Sequence, residues 1–346
     1  MTVIVLFGGP SDERHVSVAT AQNVARTLDN PLLWFWAPEG AVYDVGAAEL
    51  LAHQRPFEVD FAPSRPAIWP NLEQALDTLP VEDPVFVLAM HGGPGEDGTV
   101  QALMEARRIP FTGSGAKASA LAFDKGKAKE AVAGKVQMAE SRNARRGPQD
   151  IADAVHDLLT RHEKVVLKPL AGGSSRGLFF LHRDEDVEGT IAKAGALRLP
   201  YIVEQFIVGR ELTVGVVDFG DGPRALPVIE IEVDAGFAFD YEGKYLGKGT
   251  REICPANIPD EMTRAAQQTA VAAHIALGCE GYSRSDMMAS ADGIYYLETN
   301  TLPGLTGSSL VPQMLAAENI SMRDFLERQI SAATERARPL VKKGSA

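Results

Sequence analysis

Four polar side chains in the last third of the chain stand at alternate positions of two short strand-like runs. Arg284 and Asp286 belong to the first run, and Glu298 and Asn300 belong to the second. Because side chains two residues apart on a strand share a face, pairing of the runs across a turn at 292–293 would present all four together. Carboxylate and amide oxygens beside an arginine are typical of a site for magnesium and phosphate, which predicts ATP chemistry. The alternative is a solvated hairpin face with an incidental ion pair.

A loop rich in glycine and serine, residues 172–177, lies between two strand-like runs and predicts a hairpin flap over the same phosphates. Its glycines let backbone N–H groups approach phosphate oxygens, and Ser174 and Ser175 add hydroxyl donors. Lys168 at the end of the first strand and Lys125 from an earlier segment would direct positive charge at this site. Otherwise the loop is a plain turn and either lysine is an ordinary surface residue. The chain contains no Walker A motif, which reads GxxxxGK[ST].

The segment that follows the flap predicts a pocket for a nucleoside. Glu204 ends a strand, and Phe206 and Ile207 offer backbone groups and an apolar wall to a purine. Glu211 could bond ribose hydroxyls or instead pair with the preceding arginine. These residues also fit a core strand with a polar edge. The polar run YEGKY at 241–245 predicts a loop over the same cleft, or else a surface loop.

The elements that must position these groups alternate at the start of the chain. Strand, helix, strand and helix are predicted in that order, with glycine-rich turns after both strands, over residues 3–7, 13–28, 85–90 and 99–107. This alternation predicts a parallel α/β unit over residues 1–113. Because open α/β sheets bind ligands at the carboxyl ends of their strands, we expect the ligand to meet Glu13 and His91.

The rest of the chain mixes strands with long helices, which predicts α+β units after the α/β unit. A long helix is expected over 259–277, with Gly278 as its stop. The run 113–118 fits a loose dinucleotide fingerprint, but the segment before it is too short for a first Rossmann strand, so we interpret it as a packing turn. Further strands are predicted over residues 164–168, 178–181, 201–206 and 211–217.

Composition narrows the class of protein. The chain has 346 residues, 45% of them apolar, and a formal net charge of −12. This acidic balance without a basic run argues against nucleic-acid binding, and no apolar stretch reaches the length of a membrane span. Cys254 and Cys279 lack the CxxC spacing of a zinc site, which favours a reducing, cytoplasmic setting.

Taken in order, several segments resemble the D-alanine–D-alanine ligases over residues 4–330. The resemblance implies the ATP-grasp fold: an N-terminal α/β domain over 1–113, a central α+β domain with the flap over 114–204, a C-terminal α+β domain over 205–335, and a tail over 336–346. The matching segments are GGPSDERHVS, HGGPGEDGTVQ, TGSGAKASALAFDK, LKPLAGGSSRG, VEQFIVGRELTVGV, YEGKY, SRSD and LETNTLPGLTGSSLVP.

The resemblance also implies a reaction and its cofactors. ATP phosphorylates the carboxylate of one D-alanine, and the amine of a second attacks the acyl phosphate, which supplies peptidoglycan precursors. The implied cofactors are ATP and two magnesium ions, for which manganese can substitute, and the implied assembly is a homodimer.

Residue roles carry over for the amino-acid substrates. Glu13 matches the glutamate that holds the ammonium of the first D-alanine, and His91 matches a histidine on the substrate side. Arg284 and the backbone N–H of Gly304 match the oxyanion site. The second substrate's carboxylate would be held by Ser309 and the N–H of Leu310.

The nucleotide and metal roles carry over in the same way. Lys125 and Lys168 match the phosphate lysines, Glu204 and Glu211 match the adenine-side and ribose-side acids, and Ser174 matches the flap serine. Lys244 matches the γ-phosphate lysine, and Tyr245 matches the tyrosine of a closing triad with Ser174 and Glu13. The implied magnesium ligands are Asp286, Glu298 and Asn300.

Three positions depart from the family pattern. Arg176 replaces a small aliphatic residue in the flap, Phe239 replaces a tyrosine, and Ser285 replaces an aliphatic residue. They leave the second substrate open between D-alanine, D-serine, D-lactate and another amino acid, although Tyr245 favours an amine. A nucleotide-binding module without ligase activity is the alternative from another class. No general base for the amine is evident.

Overall fold

The structure is a computed structural model that describes residues 1–173, 176–233 and 249–337. Its first four strands form one sheet, with helices packed beside it. These elements are β1 (Thr2–Gly8), α1 (Arg14–Thr27), β2 (Leu32–Trp36), β3 (Val42–Val45), α2 (Ala47–Ala52), α3 (Leu72–Asp77), β4 (Pro84–Met90), a 3-10 turn (Gly93–Gly95) and α4 (Thr99–Ala106). In the order β3-β2-β1-β4, β1 is parallel to both β2 and β4, as predicted. Edge strand β3 is antiparallel, because the 37–41 connection is too short for a crossover.

The middle of the chain forms a second sheet under two helices. Two helices and a short strand precede it, namely α5 (Ala116–Phe123), α6 (Lys125–Val132) and β5 (Gln137–Met138). The sheet and its helices are β6 (Ser141–Ala144), α7 (Pro148–Leu159), β7 (Lys164–Pro169), β8 (Phe179–His182), α8 (Val187–Ala196) and β9 (Tyr201–Gln205). Its order is β6-β9-β7-β8. Strands β7 and β8 pair antiparallel around the glycine-rich loop, which confirms the predicted hairpin flap.

The third sheet carries the hairpin of alternating polar residues. Its elements and the helices around it are β10 (Arg210–Val217), β11 (Arg224–Ala225), β12 (Ile229–Val233), β13 (Thr250–Ile253), α9 (Asp260–Leu277), β14 (Tyr282–Ser290), β15 (Gly293–Asn300), α10 (Leu310–Ala317) and α11 (Met322–Ala337). The order is β13-β12-β10-β14-β15-β5, with β11 beside β10. Helix α9 ends at Gly278, as predicted, and covers one face of this sheet through Ala266 and Ala270. The opposite face is therefore available for a ligand.

Hydrophobic packing joins the two ends of the chain. Strands β1, β2 and β4 share one core with apolar residues between 217 and 333, whereas β6 to β9 with α7 and α8 have a core of their own. Helices α5 and α6 pack on α9 and β15. The boundary at 113 stays a prediction. Within the described residues, no helix is long and apolar enough to cross a membrane.

The structure confirms the packing turn at residues 113–118. A Cβ on Gly113 would lie 3.3 Å from a methyl carbon of Leu302. Ser114 Oγ accepts a hydrogen bond of 3.1 Å from the backbone N–H of Glu280. Gly113 and Ser114 of this run therefore allow α5 to pack against the third sheet.

Candidate active site

A cavity of about 370 Å³ lies between the second and third sheets, under the flap. The side chains that line it come from both sheets and from the first residue of α6. They include eight residues predicted from the sequence to bind nucleotide or metal: Lys125, Lys168, Glu204, Phe206, Ile207, Glu211, Asp286 and Glu298. The strands β9 and β10, which follow each other along the chain, lie in different sheets, so the chain passes from one wall of the cavity to the other at Gly209.

One side of the cavity is apolar. Phe206 packs edge-on against Phe180 of the flap strand, with ring centroids 5.8 Å apart, and Lys164 Nζ lies 4.0 Å from the Phe206 ring centre. Val166 and Met288 extend this wall from the two sheets. Such a surface can take the faces of a purine ring.

The Glu204 carboxylate is held by two lysines. Its Oε2 lies 2.7 Å from Lys168 Nζ and its Oε1 lies 2.5 Å from Lys129 Nζ, and Glu204 is only 3% exposed. Burial alone would raise the pKa of this carboxyl, but the charges of Lys168 and Lys129 outweigh burial and lower the pKa to about 2. Burial likewise opposes the charge of Lys168, but Glu204 outweighs it and raises the pKa of that ammonium. Glu204 and Lys168 are therefore charged together.

Sequence reasoning missed Lys129. The signal was present, since Lys129 follows Lys125 by four residues and so lies on the same face of α6. Nothing local, however, marks which lysine of a helix faces a carboxylate from a distant strand. Glu211 was predicted to bind the ribose or to pair with Arg210. In the structure, Arg210 forms an ion pair of 2.5 Å with Glu230.

Lys125 connects three parts of the cavity. Its Nζ donates a 2.9 Å hydrogen bond to the carbonyl oxygen of Gly172 in the flap and lies 3.1 Å from Glu298 Oε2. Asp124 caps α6 by accepting a bond from the N–H of Lys127, which fixes the helix end from which Lys125 projects. The lysine thus stands between flap and hairpin.

The predicted polar hairpin is confirmed in register. Asp286 lies opposite Glu298, and Arg284 lies opposite Asn300. Arg284 forms two hydrogen bonds to Asp286, of 2.9 and 2.8 Å, and Thr213 Oγ1 donates a third of 2.6 Å to the same carboxylate. Arg284, predicted to stabilise the oxyanion, is therefore hydrogen-bonded to Asp286, which is predicted to bind metal.

The donors of this hairpin fit a magnesium ion. Asp286 and Glu298 face each other beside the cavity, and Asp286 Oδ2 accepts only one of the bonds described, which leaves it a lone pair. Asn300 Oδ1 accepts a 2.8 Å bond from the N–H of Leu302, which orients it. The described residues contain no cluster of three or more carboxylate, histidine or cysteine groups. Magnesium accepts one or two carboxylates when phosphates complete its shell.

Two glycine loops and the flap converge at Glu13. Gly92 has a φ of +64°, and a Cβ there would lie 2.9 Å from Glu13 Oε2 and 2.4 Å from Ser11 Oγ, so only glycine fits. A Cβ on Gly173 would lie 3.1 Å from Glu13 Oε1. His91 lies behind this point, 4% exposed, with Nε2 2.9 Å from Thr20 Oγ1. Its place on the substrate side stays a prediction.

The second-substrate residues lie at the start of α10. Ser309 is the residue before the helix, and its Oγ accepts a 3.2 Å bond from the N–H of Thr306. A Cβ on Gly304 would lie 2.7 Å from the same oxygen, so the backbone passes close to the hydroxyl. Leu310 is the first residue of the helix, where N–H groups remain available to an anion.

Several predicted residues cannot be placed. Ser174 and Ser175 of the flap, and Lys244, Tyr245 and Phe239 of the 234–248 segment, lie outside the described residues.

The three sheets and the cavity between the second and third define an ATP-grasp protein. The chain belongs to the D-alanine–D-alanine ligase family: residues 2–114 match the model for the "D-ala D-ala ligase N-terminus" and residues 134–331 match that for the "D-ala D-ala ligase C-terminus". A D-alanine–D-alanine ligase of Syntrophobacter fumaroxidans is 36% identical over 338 residues, which cover 97% of this chain and 98% of the relative.

Solved structures of related ligases share this fold. The VanG D-Ala:D-Ser ligase of Enterococcus faecalis has a TM-score of 0.78 at 27% identity and covers 96% of this chain and 99% of its own. The Bacillus anthracis D-alanine–D-alanine ligase in complex with ATP has a TM-score of 0.74 at 24% identity, with 97% and 98% covered.

Proposed function

We propose that this protein joins two D-alanine molecules to D-alanyl-D-alanine in an ATP-dependent reaction that supplies peptidoglycan precursors. The observation that carries the proposal is the single cavity in which paired lysines, Glu204 and the Asp286 and Glu298 carboxylates meet under a flap. Membership of the ligase family supports the same activity.

ATP would occupy this cavity with its base on the apolar wall. Phe206 and Ile207 would contact the purine, and Glu211 would bind the ribose. Lys125 and Lys168 would meet the phosphates, because both ammonium groups lie beside the flap and the cavity. Further nucleotide contacts are proposed for Glu204, Ser174, Ser175 and Lys244.

Asp286, Glu298 and Asn300 would hold magnesium, and we propose two ions, for which manganese can substitute. Bound divalent ions neutralise the triphosphate so that a carboxylate can approach it. Asp286 and Glu298 provide anionic oxygens for that purpose, and the Arg284 guanidinium keeps Asp286 oriented. The hairpin thus aligns metal ligands with the reacting carboxylate.

The ligation proceeds in two transfers. Glu13 holds the ammonium of the first D-alanine, whose carboxylate oxygen bonds the γ-phosphorus as the bond to ADP breaks. The second D-alanine is held by Ser309 and the N–H of Leu310, and its amine nitrogen bonds the acyl carbon. Phosphate then leaves with the electron pair of the C–O bond, and the proton that the amine nitrogen loses passes to solvent.

Charge develops on the acyl oxygen during the second transfer. Arg284 and the N–H of Gly304 would stabilise it, which is the contribution that usually lowers the barrier most in acyl transfer. The proposed triad of Tyr245, Ser174 and Glu13 would close the flap, since water would hydrolyse the acyl phosphate.

The proposal is tested with purified protein, ATP, magnesium and D-alanine. We expect equal amounts of ADP, phosphate and dipeptide, measured by coupled assay and mass spectrometry. A panel with D-serine, D-lactate and other D-amino acids as second substrate tests the alternative of a different second substrate, which the similarity to the VanG D-Ala:D-Ser ligase suggests. If no D-amino acid stimulates release of phosphate, ligase activity is excluded.

We further propose a cytoplasmic homodimer, for which the family resemblance and the two unpaired cysteines are the support. Light scattering of the purified protein at several concentrations measures its mass, and a monomer throughout would exclude the dimer.

A further inference from the structure

The buried lysine of α6 has no part in the reaction described above. Lys129 is 6% exposed and lies behind Glu204, while Glu204 and Lys168 line the cavity. Each oxygen of the Glu204 carboxylate faces one ammonium group, at 2.5 Å for Lys129 and 2.7 Å for Lys168. The carboxylate therefore stands between two cations, one on the cavity side and one on the core side.

The charges of this cluster do not cancel. Two lysines and one carboxylate leave one positive charge at the wall of the cavity. On the far side of the cavity, Lys125 already pairs with Glu298 at 3.1 Å. Glu298 and Glu211 also stabilise the Lys168 charge, but less than Glu204 does. Lys168 therefore still carries positive charge that a phosphate in the cavity can compensate.

The identity of the lysine that pairs with Glu204 decides how much charge the cavity offers. If Lys168 alone neutralised Glu204, the pair would present no net charge to a triphosphate. With Lys129 bound to the other oxygen, the carboxylate is already compensated from the core side. Lys168 can then meet a phosphate as a cation.

We propose that Lys129 is a positioning residue for the nucleotide: it neutralises and orients Glu204, so that Lys168 keeps its positive charge for the ATP phosphates. This inference rests on the proposed use of ATP. It differs from a structural role in one respect: the need for Lys129 disappears when Glu204 loses its charge.

The test compares five variants, among them Glu204→Gln, with the native protein by calorimetric titration of a non-hydrolysable ATP analogue with magnesium. Lys129→Met should weaken binding at least about tenfold, because Lys168 is then the only partner of Glu204 and the pair offers the triphosphate no net charge. Lys129→Arg should retain most of the affinity. Lys127→Met, on the exposed face of the same helix, should leave affinity unchanged.

The double variant Lys129→Met with Glu204→Gln is decisive, because it removes one positive and one negative charge together. Its reference is Glu204→Gln alone, because Glu204 is itself proposed to contact the nucleotide. We expect the double variant to bind within about threefold of Glu204→Gln, since Lys129 has no carboxylate charge left to neutralise there. Melting temperatures of all variants separate loss of fold from loss of affinity, and the double variant and Lys129→Arg can be measured even where Lys129→Met unfolds.

Two results would overturn the inference while the proposed function stands. One is native affinity in Lys129→Met. The other is a double variant that is weaker than Glu204→Gln by the same factor as Lys129→Met is weaker than the native protein, which would indicate a structural role of Lys129 or its direct contact with nucleotide. Failure of the native protein to bind the analogue would instead contradict the proposed use of ATP.

Discussion

At the residue scale, the site depends on side chains that meet across the hairpin. Asp286 and Glu298 are twelve peptide bonds apart along β14, a tight turn and β15, and the bulge after Asp286 shifts the rest of the pairing by one residue. Period-two alternation made this meeting predictable from sequence. The hydrogen bonds from Arg284 and Thr213 to Asp286 could not be predicted from the sequence, because they depend on side-chain rotamers and on a third strand.

Replacing Glu298 tests the catalytic interpretation of the hairpin. Glu298→Gln removes an anionic metal donor and the partner of Lys125 while keeping the size of the side chain. We expect kcat to fall at least about 100-fold, because the lost group acts on charge at the reacting centre. Melting temperature should change little, since the Glu298 side chain is 33% exposed.

The matched control lies on the same hairpin. Asp292→Asn changes an acid in the turn that accepts a hydrogen bond from Tyr295 and does not line the cavity. It should retain native kcat. Comparable losses in both variants would mean that the hairpin supports folding and not catalysis.

At the scale of elements, the flap is tied to the N-terminal loop as well as to α6. Arg176, which departs from the family pattern, forms an ion pair with Asp12, the residue before Glu13. The two side chains are 62% and 72% exposed, so this pair contributes at most about 1 kcal/mol. Its position, between the flap and the loop that would hold the first D-alanine, suggests an effect on closure.

Exchanging the charges of Arg176 and Asp12 isolates the effect of this ion pair on closure of the flap. Arg176→Asp should raise the fraction of ATP hydrolysed without dipeptide formation up to about fivefold, because water enters a loosened site. Asp12→Arg combined with Arg176→Asp should restore coupling in low salt. The measurement is the ratio of phosphate to dipeptide at 20 and at about 300 mM salt, where screening weakens the pair. Equal ratios in all three proteins would show that the ion pair has no part in closure.

Under the hairpin, a buried histidine couples α9 to β14. His274 is 1% exposed, and its Nδ1 lies 2.7 Å from Ser283 Oγ. Burial lowers the pKa of this imidazole to about 4. The unfolded chain, in which a histidine has a pKa of about 6.5, therefore binds more protons than the folded protein between pH 6.5 and 4.

The sign of the resulting pH dependence follows from that difference. Stability from neutral His274 is fully present above pH 6.5 and is lost as the pH falls towards 4. Between pH 7 and 5, the loss in free energy of unfolding should be about 2 kcal/mol greater for the native protein than for His274→Gln. Urea unfolding at both pH values measures this. The same loss in both proteins would assign the effect to other groups.

At the scale of the whole molecule, elements were easier to predict than their pairing. Strands and helices such as β1, α1, β7 and α9 follow from local periodicity and caps, so their positions agree with expectation to within one or two residues. The antiparallel edge β3 and the passage of β9 and β10 into separate sheets depend on contacts far along the chain. The contact between Lys129 and Glu204 was missed for the same reason.

The shared core of the two chain ends has a mechanical consequence. Asn23 in α1 donates a 2.7 Å bond to the carbonyl of Leu305, and Arg323 in α11 pairs with Asp29 at 3.0 Å, so the residues proposed for both amino acids, Glu13 and Ser309, belong to one packed body. The second sheet, with its separate core, is a second packed body. If the two bodies moved apart, the nucleotide would be exposed along its whole length, while the distance between Glu13 and Ser309 stayed constant. ADP could then be exchanged for ATP without rebuilding the place where the peptide bond forms.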